Sequence, residues 1–260
     1  MNKTNDMMQK ELIEAAKILS QANYVVALTG AGMSVESGIP PFRGPGGIWT
    51  KYGEPPMDGY QRFMADPKKA WEETLNPKGP MVELRTALEK AAPNPGHIAL
   101  AELEKEGLLK ALITQNIDNL HYAAGSANVL EIHGNATLVR CLNCNTRYKR
   151  EEVSFEELPP KCPQCAGILK SDTVFFGEPI PMDVLQRCQE ESSRCDCMVV
   201  AGTSATVYPA AAFPQQIIRQ GHPVIEVNLY ESELTRHCRI SLRGPSGEIL
   251  PKLAELIRKK

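Results

Sequence analysis

Four of the eight cysteines in these 260 residues form two Cys-x-x-Cys pairs, Cys141-Leu142-Asn143-Cys144 and, after seventeen residues, Cys162-Pro163-Gln164-Cys165. Each pair can present two thiolates from one hooked turn, and two such turns close a tetrahedral site of the kind zinc takes. All four positions are sulfur, so no coordination position is left for water and the metal is expected to be structural. Such a site contributes on the order of 10–16 kcal/mol of apparent binding energy in small peptides, enough to fold a segment with few large apolar residues. A redox dithiol suits one Cys-x-x-Cys but suits two poorly. Cys188, Cys195, Cys197 and Cys238 lack metal spacing and read as core or near-surface thiols.

A second set of residues could move protons and read polar ligands. His133 heads the triplet His133-Gly134-Asn135 after the apolar run Asn128 to Ile132. An imidazole titrates near neutral pH, and Gly134 leaves room for a substrate, so His133 is a candidate general base; a histidine at a strand end also has a purely structural reading. Gln115-Asn116-Ile117-Asp118 follows the apolar run Leu108 to Thr114. Asn116 and Asp118 could recognise a carboxamide, which offers both a donor and an acceptor, or form an Asx turn that starts the next helix; the two are compatible. Gly30-Ala31-Gly32 follows Tyr24 to Thr29 and lets the backbone turn sharply beside a pyrophosphate. Val35 stands where a dinucleotide fingerprint has its third small residue, so a tight turn without ligand is the competing reading. Ser37 to Gly44 adds a proline-punctuated loop ending in Phe42 and Arg43, suited to covering a phosphate.

These residues need strands and helices to hold them. Strand composition occurs at 24–29, 108–114, 128–132, 171–178, 197–201 and 224–228. Helical spacing occurs at 7–22, in short pieces from 60 to 92 broken by Pro67, Pro77 and Pro80, after Asn94-Pro95-Gly96-His97, around Leu120 and His121, from 210 to 220, and at the end of the chain. His97 is expected to cap or pack its helix, with no chemistry. Strands alternating with helices predict parallel crossovers and a doubly wound α/β sheet, whose ligands bind at strand carboxyl ends. Gly202-Thr203-Ser204 and Asn228 stand at two such ends, with side chains suited to phosphate or ribose. The stretch Ser171 to Glu178 could pair with an extended peptide.

Composition narrows the classes. A 42% hydrophobic content supports a sizeable core, and 29 basic against 31 acidic residues give no field for a polyanion. No apolar stretch approaches the roughly 20 residues of a membrane span, and the polar N-terminus is no signal peptide. A soluble, cytoplasmic protein with reduced thiols is expected.

Taken in order, GAGMSVESGIPPFRG at 30–44, TQNIDNLH at 114–121, HGN at 133–135, the two cysteine pairs and GTS at 202–204 resemble the sirtuin family of NAD-dependent protein deacylases. The resemblance implies a Rossmann-like NAD domain built from residues 1–48, 93–136 and 171–260, and a small domain made of a zinc-binding module (137–170) and a helical module (49–92). Between them NAD, consumed as a co-substrate, would meet an acyl-lysine peptide; membranes and nucleic acid are not expected partners. The resemblance would place Gly30, Ala31, Gly32, Phe42 and Arg43 on NAD. Gln115, Asn116, Ile117 and Asp118 would lie around the nicotinamide, with Asn116 and His133 catalytic. Gly202, Thr203, Ser204, Asn228 and Cys238 would hold the adenosine half, and Val174, Phe175 and Gly177 the peptide. Cys141, Cys144, Cys162 and Cys165 would bind one structural zinc ion.

The products would be free lysine, nicotinamide and O-acyl-ADP-ribose. No Tyr-x-x-Arg pair occurs, Thr74 and Pro77 standing near its expected place, which favours neutral acyl groups such as acetyl over succinyl. Arg239 stands where many members have an acid. Two other readings are NAD hydrolysis or ADP-ribosyl transfer, and a zinc-ribbon module that binds nucleic acid through Arg140, Arg147, Lys149, Arg150 and Lys161, offset by Glu151, Glu152, Glu156 and Glu157.

Overall fold

A computed structural model describes residues 3–259. The chain begins with α1 (Lys3–Gln21), β1 (Val25–Thr29), a 3-10 turn (Ala31–Ser37) and the short helices α2 (Ile48–Tyr52), α3 (Gly59–Ala65), α4 (Pro67–Leu75) and α5 (Pro80–Lys90). It continues through α6 (Pro95–Lys105), β2 (Leu109–Thr114), α7 (Leu120–Ala123) and β3 (Val129–Glu131) to the short strands β4 (Leu138–Cys141), β5 (Arg147–Lys149) and β6 (Leu169–Ser171). The last third holds α8 (Met182–Arg194), β7 (Cys197–Ala201), α9 (Ala212–Arg219), β8 (Val224–Asn228), β9 (Ile240–Arg243) and α10 (Ser246–Arg258).

Six strands form one sheet in the order β3-β2-β1-β7-β8-β9, and every pairing in it is parallel. Strand order reverses at β1: the chain first works outward through β2 and β3, then returns to β1's other side for β7, β8 and β9. A reversal of this kind opens a crevice outside the carboxyl ends of the two central strands. Thr29 stands level with both Thr114 and Ala201, so the loops that follow β1, β2 and β7 leave the sheet side by side.

Strand side chains alternate, and both faces of this sheet are covered. Val25 and Ala27 of β1 join Leu12, Ala16 and Leu19 of α1, Leu100 and Leu103 of α6, and Ile249, Leu250 and Leu253 of α10 in one core. Val26 and Leu28 face the other way, into a core with Cys188 of α8 and Phe213 and Ile217 of α9. Burial on both faces is why β1 and β7 are nearly continuous apolar runs; each Val or Leu so buried contributes about 1.5–3 kcal/mol. The start of α6 is set locally. Asn94 caps it through Gly96 N and His97 N, Pro95 takes the first turn, and the His97 ring closes a capping box onto Asn94 N.

The second, antiparallel sheet has the order β5-β4-β6 and its own core. Phe63 of α3 and Trp71 of α4 pack there with Val139, Cys141 and Leu169, and the Trp71 indole N–H donates to the Leu169 carbonyl at 2.7 Å. Helix α5 packs elsewhere: Leu84 lies with Ile39, Ile48 and Leu120, beside the loops of the large sheet.

Three differences from the sequence reading have physical causes. Residues 171–178 have strand composition, yet only Ser171 is in a strand; from Asp172 onward the segment is a loop held by side-chain bonds. The polar helix α8 buries only Cys188 and Ser192, leaving little apolar signal. Strands β4, β5 and β9 are only three or four residues long, too short for a period to show. Among the described residues no helix is long and apolar enough to cross a membrane.

Candidate functional site

The turn after β1 is locked to the turn after β7. Gly30 N donates to the Ala201 carbonyl at 3.0 Å and Gly32 N to the Gly202 carbonyl at 2.8 Å. A Cβ on Gly30 would stand 2.7 Å from Thr203 Cβ, and one on Gly32 would stand 2.8 Å from Gly202 Cα. Gly202 itself has φ +64°, a left-handed conformation that favours glycine. The two glycines are therefore required by close approach of protein backbone, and their amides are already engaged. That is a different cause from a pyrophosphate pressing on them. Ala31, between them, is partly exposed at the crevice.

The loop after β2 adds polar groups. Gln115 Nε2 donates to Thr203 Oγ1 at 2.9 Å, bridging the β2 and β7 turns. Asn116 is buried and its amide donates to the Gly30 carbonyl at 3.0 Å and to Ser34 Oγ at 3.1 Å; its Oδ1 is what remains to accept from a ligand. Ser34 Oγ donates to Asp118 Oδ2 at 2.6 Å, and Asp118 Oδ1 accepts from Leu120 N at 2.9 Å, the Asx-turn geometry. Ile117, Asp118 and Gln115 are each partly exposed.

Ser34 and His97, given no chemistry by the sequence, belong to this network. His97 Nε2 lies 3.4 Å from Ser34 Oγ, and its ring centroid is 4.8 Å from that of His121. His121 Nε2 bonds Thr29 Oγ1 at 2.9 Å. Burial pushes His97 down to about 4, against a smaller opposing pull from Asp118, and holds His121 well below its ordinary value. What marks Ser34 is its full burial in the turn just after the glycines, which the sequence does not show.

His133 follows β3, and its Nδ1 lies 3.1 Å from the Gln115 carbonyl. A carbonyl can only accept, so Nδ1 carries the proton and Nε2 is the free base. Burial lowers the His133 pKa, with the Gln115 bond opposing, so the ring is neutral at pH 7. The next turn is pinned by Ala136 N to the Ile117 carbonyl at 2.9 Å. His133 and the loop from Gln115 to Asp118 thus sit together.

Across the crevice, the Phe42 ring stacks at 4.9 Å on Trp49, which lies 5.7 Å from Phe176. Arg43, exposed, pairs with Glu54 at 2.9 Å and lies over Trp49. Val174 N donates to the His133 carbonyl at 2.9 Å, and Phe176 O accepts from Tyr60 N at 3.0 Å, so the loop containing Val174, Phe175 and Gly177 runs beside the base. Gly177 has φ +79° and is exposed.

Around the adenosine-side residues the structure divides the expected set. Asn228 Nδ2 donates to the Thr203 carbonyl at 2.8 Å, and Ser204 is exposed beside Thr206. Cys238 is not with them. It precedes β9, level with Pro223 at the amino edge of the sheet, because Ile240 pairs in parallel with Ile225. Arg239, on that same edge, bonds Glu14 of α1 at 3.1 Å and does not bear on an adenine. The residues that follow β9 at the carboxyl edge are Gly244, Pro245 and Ser246, with Gly244 N on the Asn228 carbonyl at 3.2 Å.

The four paired cysteines converge, their sulfur atoms all within 4.8 Å of one another. Cys141 and Cys165 Sγ are 3.5 Å apart, Cys144 and Cys162 Sγ 3.7 Å. Zinc–thiolate bonds of about 2.3 Å give a tetrahedron with edges of about 3.8 Å, so the set fits one zinc ion. The thiols differ when no cation is counted. Burial holds Cys141 up at about 11, whereas at Cys162 the Tyr148 hydroxyl and backbone amides outweigh burial and bring it to about 6. A divalent cation is what ionises all four. Arg140 and Arg147, beside the cysteines, reach back to the end of β3: Arg140 bonds Asp172 at 2.6 Å, and Arg147 bonds Asp172 and, at 2.6 Å, Glu131. Asp172 in turn accepts from Asn135 N at 3.0 Å, and Glu131 from Asn135 Nδ2 at 2.6 Å.

The model of the Sir2 family matches residues 30–209. The chain is 42% identical over 255 residues to an NAD-dependent protein deacylase of Pyrococcus abyssi, covering 95% of this chain and 98% of that one. It is 43% identical to NAD-dependent protein deacylase 1 of Archaeoglobus fulgidus, covering 94% and 96%. Among solved structures, a Sir2 homologue mutant in complex with ADP ribose superposes with TM-score 0.81 at 42% identity, over 95% of this chain and 96% of that one. A Sir2 homologue–NAD complex matches with TM-score 0.79 at 43% identity, over 95% and 93%. A Sir2–p53 peptide–NAD+ complex matches with TM-score 0.76 at 35% identity, over 93% and 96%. With the Rossmann-order sheet, the four-cysteine cluster and this similarity over nearly its whole length, the chain belongs to the Sir2 family.

Proposed function

We propose that this protein removes acyl groups, acetyl foremost, from protein lysine side chains, with NAD consumed as co-substrate and nicotinamide and O-acyl-ADP-ribose released. The observation that carries the reading is the His133 bond to the Gln115 carbonyl, which leaves Nε2 unprotonated beside the Asn116–Asp118 loop. NAD supplies the electrophilic sugar carbon, from which nicotinamide departs as the acyl oxygen attaches. Asn116, its amide held by Gly30 and Ser34, presents its carbonyl oxygen to the ligand, and Ile117 and Asp118 border the nicotinamide. Ala31, Phe42 and Arg43 cover the phosphates, and Ser204 and Asn228 take the adenosine half with the Gly244–Ser246 turn. His133 Nε2 takes the proton from a sugar hydroxyl, which then attacks the bound acyl carbon; one water molecule then supplies the carbonyl oxygen of the released ester as the lysine amine leaves with a proton. Trp49, Phe42 and Phe176 keep water from the sugar carbon before that stage.

Val174, Phe175 and Gly177 take the peptide in this reading. Its division of the chain gives 1–48, 93–136 and 171–260 to the NAD domain, with 137–170 and 49–92 as the small domain. The packing of α5 beside Ile48 supports moving 80–92 to the larger part. Cys141, Cys144, Cys162 and Cys165 hold the zinc. The nucleic-acid reading has less support, because Arg140 and Arg147 are engaged by Asp172 and Glu131 and Arg150 lies over Trp71 and Phe155. A cytoplasmic location fits the reduced-thiol chemistry.

The test is incubation of purified protein with NAD and peptides bearing acetyl-, succinyl- or myristoyl-lysine, followed by mass spectrometry. O-acetyl-ADP-ribose with little product from the succinyl peptide is expected. ADP-ribose alone would indicate NAD hydrolysis instead.

A further inference from the structure

A lysine with no assigned role is among the most deeply buried side chains of the molecule. Lys170, on β6, is 2% exposed, and its ammonium meets the Ser171 carbonyl at 2.6 Å, the Thr173 carbonyl at 2.6 Å and Glu178 Oε2 at 3.0 Å. Three acceptors match its three donors. It also lies 4.0 Å from the centroid of the Phe175 ring. Glu178, 12% exposed, completes the arrangement: the same Oε2 accepts from Phe175 N at 2.8 Å, while Glu178 N donates back to the Phe175 carbonyl at 3.0 Å.

Apart from Lys170 itself, the partners all fall within one segment, from Ser171 to Glu178, which has strand composition but leaves strand geometry after Ser171. They explain why. A buried ammonium that gathers the carbonyls of Ser171 and Thr173 turns the backbone away from a sheet edge, and the carboxylate captures an amide that a neighbouring strand would otherwise pair. Taking an ion pair out of water is costly, and an apolar pair of similar volume often does as well for stability. Stability alone therefore gives this pair little reason to be here. Position gives it one, since Val174 N is bonded to the His133 carbonyl inside the segment being held.

We infer that Lys170 and Glu178 form an internal clamp that sets the backbone of residues 172–178 in the shape that receives the acyl-lysine peptide, making both positioning residues for substrate. The inference rests on the deacylase reading of the site. Lys170 and Glu178 bond neither the crevice turns at Gly30 and Gly202 nor the Asn116 loop, and the segment meets the NAD side only through the Phe176 ring on Trp49, so the larger influence falls on the peptide.

The decisive variant is the double substitution Lys170→Met with Glu178→Met, which leaves no buried charge unpaired. Its melting temperature should fall modestly, since the Ser171 and Thr173 carbonyls and Phe175 N lose their side-chain partners, and its KM for NAD should stay within about twofold. Its KM for an acetyl-lysine peptide should rise about tenfold or more, with kcat at saturating peptide within about twofold. Hydrogen exchange of the 172–178 amides should quicken in the same variant without any substrate. Should the double variant fold poorly, Glu178→Gln, which keeps an acceptor but not the charge, should give a smaller rise in peptide KM.

A wild-type peptide KM in either folded variant would overturn the clamp, as would unchanged exchange of the segment. Absence of turnover in the wild-type protein would count against the deacylase reading instead, and exchange would still report on the clamp.

Discussion

In the proposed reaction, the imidazole of His133 is the group on which turnover depends. His133→Ala should leave the melting temperature close to wild type and lower deacylation by at least about 10²-fold, the lower range for loss of a general base; a rate assay on an acetyl-lysine peptide checks this. Because burial depresses its pKa, the acidic limb of the pH–rate profile should fall below the ordinary histidine value of 6.5. A limb at or above 6.5 would mean that another group controls the rate.

His97 and His121 make a different prediction. Both are neutral in the fold, and the unfolded chain takes up protons once pH falls below about 6.5. Stability is then fully present above that value and is lost as pH drops toward about 4, the level to which burial lowers His97. For His97 alone the loss is on the order of 3 kcal/mol. Urea titrations at pH 7 and pH 5 should show a lower midpoint in acid, and His97→Gln should reduce the difference.

At the scale of elements, the ion network around Asp172 joins the short zinc-module strands to the strand that presents the base. Asp172 has no exposed side-chain surface and Arg140 only 10%, so Arg140→Met leaves Asp172 Oδ1 without its partner while Arg147 still pairs Oδ2. The expected cost is about 1–3 kcal/mol, read as a fall in melting temperature. The parts of this arrangement differ in how far sequence reveals them. β1, β2, β7 and β8 are legible because burial on both faces makes apolar runs, and α6 because Asn94, Pro95 and His97 state a helix start. The glycine turns, the Asn116 loop and the cysteine pairs are legible because each is local and dense.

Ser34, His97, Lys170 and Arg147 are not legible in that way, because their partners lie far along the chain and no spacing encodes them. The place of Cys238 is not legible for a related reason. β9 is four residues long, and without it nothing showed that Cys238 enters the sheet at its amino edge while Gly244 leaves at the carboxyl edge.

At the scale of the molecule, the four-cysteine cluster and the turn that carries His133 and Asn135 are parts of one path. Cys141 follows Arg140 on β4, and Arg147 opens β5 three residues after Cys144, so the thiolate turns set the geometry of the arginines that reach Asp172 and Glu131. Stripping zinc with a chelator should lower the melting temperature and abolish deacylation together, and Cys141→Ser should do the same. Metal analysis beside a thermal scan checks this; full stability in a metal-free sample would sink the structural role.

The interlocked turns at Gly30, Gly32 and Gly202 also bear on how a mutational survey of this protein should be interpreted. Alanine at position 32 pushes a methyl group into the backbone of the opposite turn whether or not nucleotide is present. A screen scoring only cellular abundance would therefore flag positions 30 and 32 as intolerant, with no selection on turnover. Inactive variants at those sites are then no measure of dinucleotide contact, whereas loss of activity at Ala31 with normal protein levels would be.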